Sequence, residues 1–204
     1  MPSVLRPTVF LDRDGTLNEL VYDEQSGAMN SPLWPEQFML KPHAAQFVKG
    51  LNELGFLCIV VTNQPGVAKG SLSLVRLDRI HWRMREELAR SGAHLDGIFY
   101  CPHHPDPGPG GNPALATACH CRKPRPGLLI EAASVHHVDL YRSYMVGDRL
   151  TDMEAGRAAG VTTVLLSAQH PHDEGAHHRR NDPSMVLSRS VDTEVAQDRE
   201  ALTV

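Results

Sequence analysis

A chain of 204 residues, 41% of them hydrophobic, has the length and the apolar content for one domain with a proper core, or one domain with a modest appendage. Its net charge of -4 and its pI near 6.3 argue against non-specific binding to nucleic acid or to an anionic membrane, both of which select basic surfaces. No apolar run approaches the ~20 residues of a membrane span, and the N-terminus lacks the basic-then-apolar pattern of an export signal, so a cytoplasmic monomer is expected, with no nucleic-acid or membrane partner.

The chain opens on a short apolar strand, Thr8 to Asp12, that runs into Asp12-Arg13-Asp14-Gly15. Strand alternation would place the Asp12 and Asp14 side chains on one side and Arg13 on the other, and Gly15 allows a sharp turn at that point. Residues 19–41 are polar and broken by Pro32 and Pro35, which predicts a flap over the strand end rather than a long helix. Phe47, Leu51 and Leu54 recur at helical spacing before Gly55, and a strand is expected over Leu57 to Thr62. A glycine-bearing loop follows from Asn63 to Gly70. Leu77, Ile80, Met84 and Leu88 make the stripe of a second helix, and Gly97 to Cys101 reads as a third strand. Residues 102–126 are rich in proline and glycine and hold little periodicity. Next come a helix around Leu128 to Ala133, a strand at Tyr144 to Gly147, a helix through Asp152 to Ala159 and a strand at Thr162 to Leu166. Such alternation specifies an α/β fold: a doubly wound, Rossmann-like parallel sheet with helices on both faces. The whole chain, 1–204, reads as a single domain with its core at about 8–166 and no large cap domain. Residues 167–183 are polar and histidine-rich and are expected to be a mobile loop. An edge strand at Met185 to Leu187 and a terminal helix at Thr193 to Leu202 are the last expected elements.

In a doubly wound sheet the loops after the strands collect at one edge, where ligands bind. The polar motifs fall there: Asp12 and Asp14 after the first strand, Thr62-Asn63-Gln64 after the second, and Gly147-Asp148-Arg149 after a later one, with Asp152 four residues on. Of two adjacent acids, one can serve as nucleophile or metal ligand and its neighbour as general acid and base; an Asp- and Gly-rich turn ending an ordinary strand would look the same. Hard oxygen ligands with open positions suit Mg²⁺, although Asp148 to Asp152 also reads as a helix cap. Thr62 and Asn63 can donate to phosphoryl oxygens, and Lys123 would offset the charge of a transferring phosphoryl group.

Four stretches, Phe10-Leu11-Asp12-Arg13-Asp14-Gly15-Thr16, Val61-Thr62-Asn63-Gln64, Cys121-Arg122-Lys123-Pro124 and Val146-Gly147-Asp148-Arg149, resemble in kind and order the four motifs of the haloacid dehalogenase superfamily of phosphatases. Within it the pattern is similar to the heptose 1,7-bisphosphate phosphatases, with the histidinol-phosphate phosphatases as near relatives. The resemblance implies a phosphoric monoester hydrolase in which Asp12 attacks phosphorus, Asp14 acts as acid and base, and Thr62 and Lys123 hold the phosphoryl oxygens. It also implies that Asp12, the backbone carbonyl of Asp14 and Asp148 hold Mg²⁺, and that Arg122 contacts substrate. Lys69, Arg122 and Arg125 near the site would suit a second phosphate and repel a cationic substrate. A zinc-stabilised binding module without turnover and a DNA 3′-phosphatase are the readings from other classes; the acids at 12, 14 and 148 argue against the first, and the acidic balance against the second.

Cys101-x-His103 and Cys119-x-Cys121, with fifteen residues between the pairs, would satisfy tetrahedral Zn²⁺ fully, so a structural site that ties down the 102–126 loop is expected. Free thiols or a loop disulfide are the other readings, and His104 could replace His103. Cys58 reads as a small core residue. His170, His172, His177 and His178 lack apolar anchors and read as solvated rather than as a second metal site.

Overall fold

The computed structural model describes residues 4–24 and 27–166, all within the compact unit Met1–Gln169. The histidine-rich segment, the edge strand at 185–187 and the helix at 193–202 lie outside the described residues, and so does part of the expected single domain.

The first strand, β1 (Thr8–Leu11), is buried at all four positions, the mark of a strand covered on both faces. A two-stranded antiparallel hairpin follows, β2 (Val21–Asp23) and β3 (Ala28–Asn30). Helix α1 (Ala44–Glu53) leads into β4 (Leu57–Asn63), and α2 (Leu74–Arg90) into β5 (Gly97–Cys101). Then come α3 (Gly127–His136), β6 (Tyr144–Gly147), α4 (Leu150–Ala159) and β7 (Thr162–Leu165). The five long-range strands form one parallel sheet in the order β5-β4-β1-β6-β7. The alternation of strands and helices is as expected, and no inserted domain interrupts the described residues.

Pleating divides the core in two. Val9 and Leu11 of β1 face one side and pack with Val48 of α1 and with Leu77, Ile80, Met84 and Leu88 of α2. Phe10 faces the other and packs with Leu128, Leu129 and Ala132 of α3 and with Ala155 and Ala159 of α4. Each fully buried Leu, Ile or Phe contributes ~1.5–3 kcal/mol, so both faces hold the sheet. Ser73 caps α2, its hydroxyl accepting from Arg76 N at 3.2 Å.

Register aligns the strand ends. Leu11 pairs with Val60 on one side and Val146 on the other, so the residues just beyond them, Asp12, Thr62 and Asp148, emerge side by side. Asp12 N also donates to Val146 O at 2.9 Å. Segment 19–41 is only partly the expected flap: Phe38 is 1% exposed, and Lys41 N donates to Leu17 O and Glu19 N to Met39 O. That return strand of chain is anchored in the core, and the β2–β3 hairpin alone stands out.

Candidate active site

A cavity of about 230 Å³ lies at the carboxyl edge of the sheet, and Asp12, Asp14, Thr62, Arg122, Lys123 and Arg149 are among the residues lining it. The hairpin contributes Met29, Asn30 and Ser31 to its rim. The volume suits a small phosphorylated molecule, not a polymer.

Lys123 is the hub. Its buried Nζ donates to Asp12 Oδ1 at 2.8 Å and to Val61 O at 2.8 Å, and lies 2.6 Å from Asp152 Oδ1. Two of its three donors make hydrogen bonds, and the contact with Asp152 is an ion pair. Burial alone would lower the lysine's pKa, but the charges of Asp12 and Asp152 outweigh it and raise it, so the side chain stays cationic. Burial, with the charge of Asp152, pushes the Asp12 carboxyl up against the opposing pull of Lys123. Asn63 aims the lysine: its Oδ1 accepts from Lys123 N and its Nδ2 donates to Lys123 O, both at 3.0 Å. The Asn63 amide, expected to donate to substrate, is thus engaged mainly with the backbone that carries the lysine.

The Asp12, Asp148 and Asp152 carboxylates each place an oxygen within 4.8 Å of the others. Asp148 Oδ1 is buried with no hydrogen-bond partner, and burial and the nearby Asp12 charge raise its pKa. Three hard anionic donors crowded together, one unpartnered, are the environment a magnesium ion relieves; the residues present fit that ion. Gly15 makes the crowding feasible, since a Cβ there would lie 2.2 Å from Asp148 Oδ2. Asp152, read as a helix cap, does cap, Oδ2 accepting from Arg149 N at 3.1 Å; it also gives Lys123 its second carboxylate.

Arg13 departs from the expected direction. Instead of pointing away from the acids it is 0% exposed and folds back on Asp14: Nε donates to Oδ1 at 2.9 Å, and Nη2 to both carboxylate oxygens at 2.8 Å. The strand ends at Leu11, so alternation no longer governs position 13, and a buried guanidinium must find an anion. Asn18 Nδ2 donates to Asp14 Oδ1 at 3.1 Å and Gln64 Nε2 to Oδ2 at 2.8 Å. Gln64 Nε2 also reaches Thr62 Oγ1 at 2.9 Å. Burial would raise the pKa of Asp14, but the Arg13 charge and these hydrogen bonds outweigh it and hold the carboxyl below its ordinary value. The Asp14 carboxylate is thus fully engaged by Arg13, Asn18 and Gln64.

Among the expected cations, Arg122 lines the cavity, but Lys69 and Arg125 do not. Arg125 instead donates to Cys119 O at 2.8 Å, and Arg149, not singled out from sequence, takes a place in the lining. Beside the cavity, Cys101, His103, Cys119 and Cys121 converge to within 4.8 Å, with Sγ–Sγ separations of 3.4 Å for Cys101–Cys119 and 3.2 Å for Cys119–Cys121. His103 Nδ1 lies 3.3 Å from Cys121 Sγ, whereas His104 turns to the backbone of Asp106. His103 is therefore the fourth member. Three thiols and an imidazole gathered in this way are a donor set that suits zinc. Arg122 Nη1 donates to His103 O at 3.4 Å, coupling this cluster to the cavity.

Comparison with known proteins agrees with this geometry. A family model described as HAD-hydrolase-like matches residues 120–190. The D-glycero-beta-D-manno-heptose-1,7-bisphosphate 7-phosphatase of Salmonella typhi is 38% identical over 167 residues, 78% of this chain and 79% of its own. The Escherichia coli (strain K12) protein of the same name is 39% identical over 160 residues, covering 78% of each. The chain belongs to this family of HAD-like phosphatases. Among solved structures, the D,D-heptose 1,7-bisphosphate phosphatase of B. bronchiseptica, complexed with magnesium and phosphate, superposes with a TM-score of 0.65 at 33% identity, over 78% of this chain and 79% of that one.

His81 is the site residue that sequence reasoning left out, and Gln64, though named within a motif, was given no role of its own. Gln64 was within reach, since strand periodicity puts it on the same side as Thr62. His81 interrupts the apolar stripe of α2 four residues after Leu77, and a histidine on a buried helix face needs a partner.

Proposed function

We propose that this chain is a magnesium-dependent phosphatase that removes one phosphate from D-glycero-D-manno-heptose 1,7-bisphosphate, the 7-phosphate, to leave the 1-phosphate. The observation that carries the reading is the buried Asp12–Lys123 pair at the carboxyl edge of the sheet, with Asp148 and Asp152 beside it. The names of the relatives support the heptose branch over the histidinol-phosphate branch. A cytoplasmic location accords with four cysteines held as thiols.

In the proposed reaction the Asp12 carboxylate forms a bond to phosphorus as the ester oxygen leaves. Asp14, a carboxylate in the free chain, takes up a proton as the dianionic substrate binds, gives it to that oxygen, then takes a proton from the water that attacks the aspartyl phosphate and regenerates Asp12. Lys123 and the Thr62 hydroxyl, donating once substrate arrives, hold the phosphoryl oxygens while negative charge moves among them. Arg122 and Arg149 at the rim hold the phosphate that is retained. Magnesium, held by Asp12, Asp148 and the Asp14 carbonyl, would supply the charge that lets an anionic nucleophile approach an anionic phosphate. Zinc held by Cys101, His103, Cys119 and Cys121 is structural, having no open position.

The test is phosphate release from a panel of small phosphates with and without Mg²⁺. We expect kcat/KM for the heptose bisphosphate to exceed that for histidinol phosphate by at least ~100-fold, since losing a charge-assisted contact and gaining a repulsion cost ~3 kcal/mol together. Equal or reversed preference would transfer the chain to the histidinol branch.

A further inference from the structure

His81 lies on α2, 68 positions from Arg13 in the chain, yet its Nε2 is 3.1 Å from Arg13 Nη1. A guanidinium has only donors, so Nε2 must accept, which puts the ring proton on Nδ1 and makes the imidazole neutral. The ring is itself held, lying 5.6 Å from that of Tyr100 on β5. Arg13 is thereby gripped at both ends: His81 takes Nη1, while Nε and Nη2 face Asp14. Gln64 Oε1 also accepts from Nη2, at 3.1 Å. Every link of this chain is buried, and only its last member, Asp14, borders the cavity.

A histidine here does something an apolar residue could not. Arg13 and Asp14 cancel each other's charge, and a neutral acceptor fixes the guanidinium plane without disturbing that balance. Without it, Nη1 would be left with unpartnered protons in the core, and the arginine would turn to satisfy them. The carboxylate that follows Arg13 would turn with it.

We propose that His81 and Arg13 are positioning residues that set the orientation of the Asp14 carboxylate toward the leaving oxygen. This rests on the reading of Asp14 as general acid. A misaligned acid harms phosphoryl transfer only where the leaving oxygen needs a proton. Alkoxides need one; p-nitrophenolate, a weak base, does not. Because kcat/KM covers the steps through aspartyl-phosphate formation, it isolates the effect from later hydrolysis.

The experiment measures kcat/KM for a sugar phosphate and for p-nitrophenyl phosphate in wild type, His81→Leu, His81→Gln and Asp14→Asn, with thermal melting of each. We expect His81→Leu to lose ~10–100-fold on the sugar phosphate and under ~3-fold on the aryl ester. His81→Gln, which keeps an acceptor at nearly the same place, should recover most of the loss. Should His81→Leu fail to fold, Arg13→Lys, which keeps the charge and loses the fork, carries the same expectation. Equal losses on both substrates, no loss on either, or no recovery in a folded His81→Gln would overturn the proposal. Asp14→Asn separates the two readings: if it too fails to discriminate between the substrates, the acid assignment is wrong, whereas discrimination by Asp14→Asn alone condemns only the role of His81.

Discussion

Asp12 and His81 show how burial sets what a single side chain does. Asp12 is 6% exposed, and burial pushes its carboxyl up against the pull of a lysine that two carboxylates hold in place. Asp12→Asn preserves shape and leaves Lys123 its contact with Asp152, so the fold should persist while turnover falls by at least ~1000-fold. Activity within tenfold of wild type, measured on folded protein, would remove Asp12 as the nucleophile. His81 gives a pH signature. Burial, reinforced by the Arg13 charge, pushes its pKa down from 6.5 to about 3. Between those values the unfolded chain binds a proton that the folded one refuses, so stability rises with pH there. The contribution is complete above about pH 6.5 and is lost as pH falls toward 3, at ~1.4 kcal/mol per pH unit. Urea unfolding at pH 7.5 and pH 5.0 should show the wild type losing ~2 kcal/mol more than His81→Gln; parallel losses would mean that the imidazole is not held neutral.

At the scale of elements, the 102–126 loop has one short 3-10 turn, Pro113–Leu115, as its regular structure. Leu115 packs on the core and Asn112 N donates to Ala68 O, while the Cys/His cluster joins the two ends of the loop. Arg122 and Lys123 follow Cys121 directly, so the loop that would bind zinc also delivers the phosphate-binding cation. Cys119→Ser should lose the metal, measured as a fall from about one zinc per chain by elemental analysis. It should also raise KM and speed proteolysis within 102–126 while the far-ultraviolet circular dichroism of the sheet and helices stays. A variant that retains zinc, or active wild type free of it, would refute the structural-zinc assignment.

Across the described residues, two cores on opposite faces of one sheet bury the strands, and every group assigned to chemistry sits at one edge of it. Fold and magnesium should therefore be separable. Treatment with a chelator mild enough to leave zinc in place should abolish phosphatase activity without shifting the thermal midpoint by more than ~2 °C, and Mg²⁺ should restore it. Activity that survives in metal-free buffer would contradict the role given to Asp148. A loss of fold on removing magnesium would show that the three crowded carboxylates cannot coexist without it.

The sequence by itself determined the parallel α/β sheet, the order of the strand-end motifs and the three cysteines of the metal-ligating cluster, because these follow from periodicity and short-range spacing. Leu57 to Thr62, a short apolar run between Gly55 and the Asn63 to Gly70 loop, reads as a buried strand, and Asp12, Thr62 and Asp148 had to emerge at one edge once the strands were parallel. Tertiary structure alone decided where Arg13 points, that Asn63 holds the lysine's backbone rather than being free for substrate, that His103 and not His104 joins the thiols, and that Asp152 serves Lys123 as well as its helix. Each of these is a choice of partner for a buried polar group. Such a choice depends on which donors and acceptors lie within about 3 Å after folding, and Arg13 and His81, 68 positions apart, share no local pattern that announces their meeting.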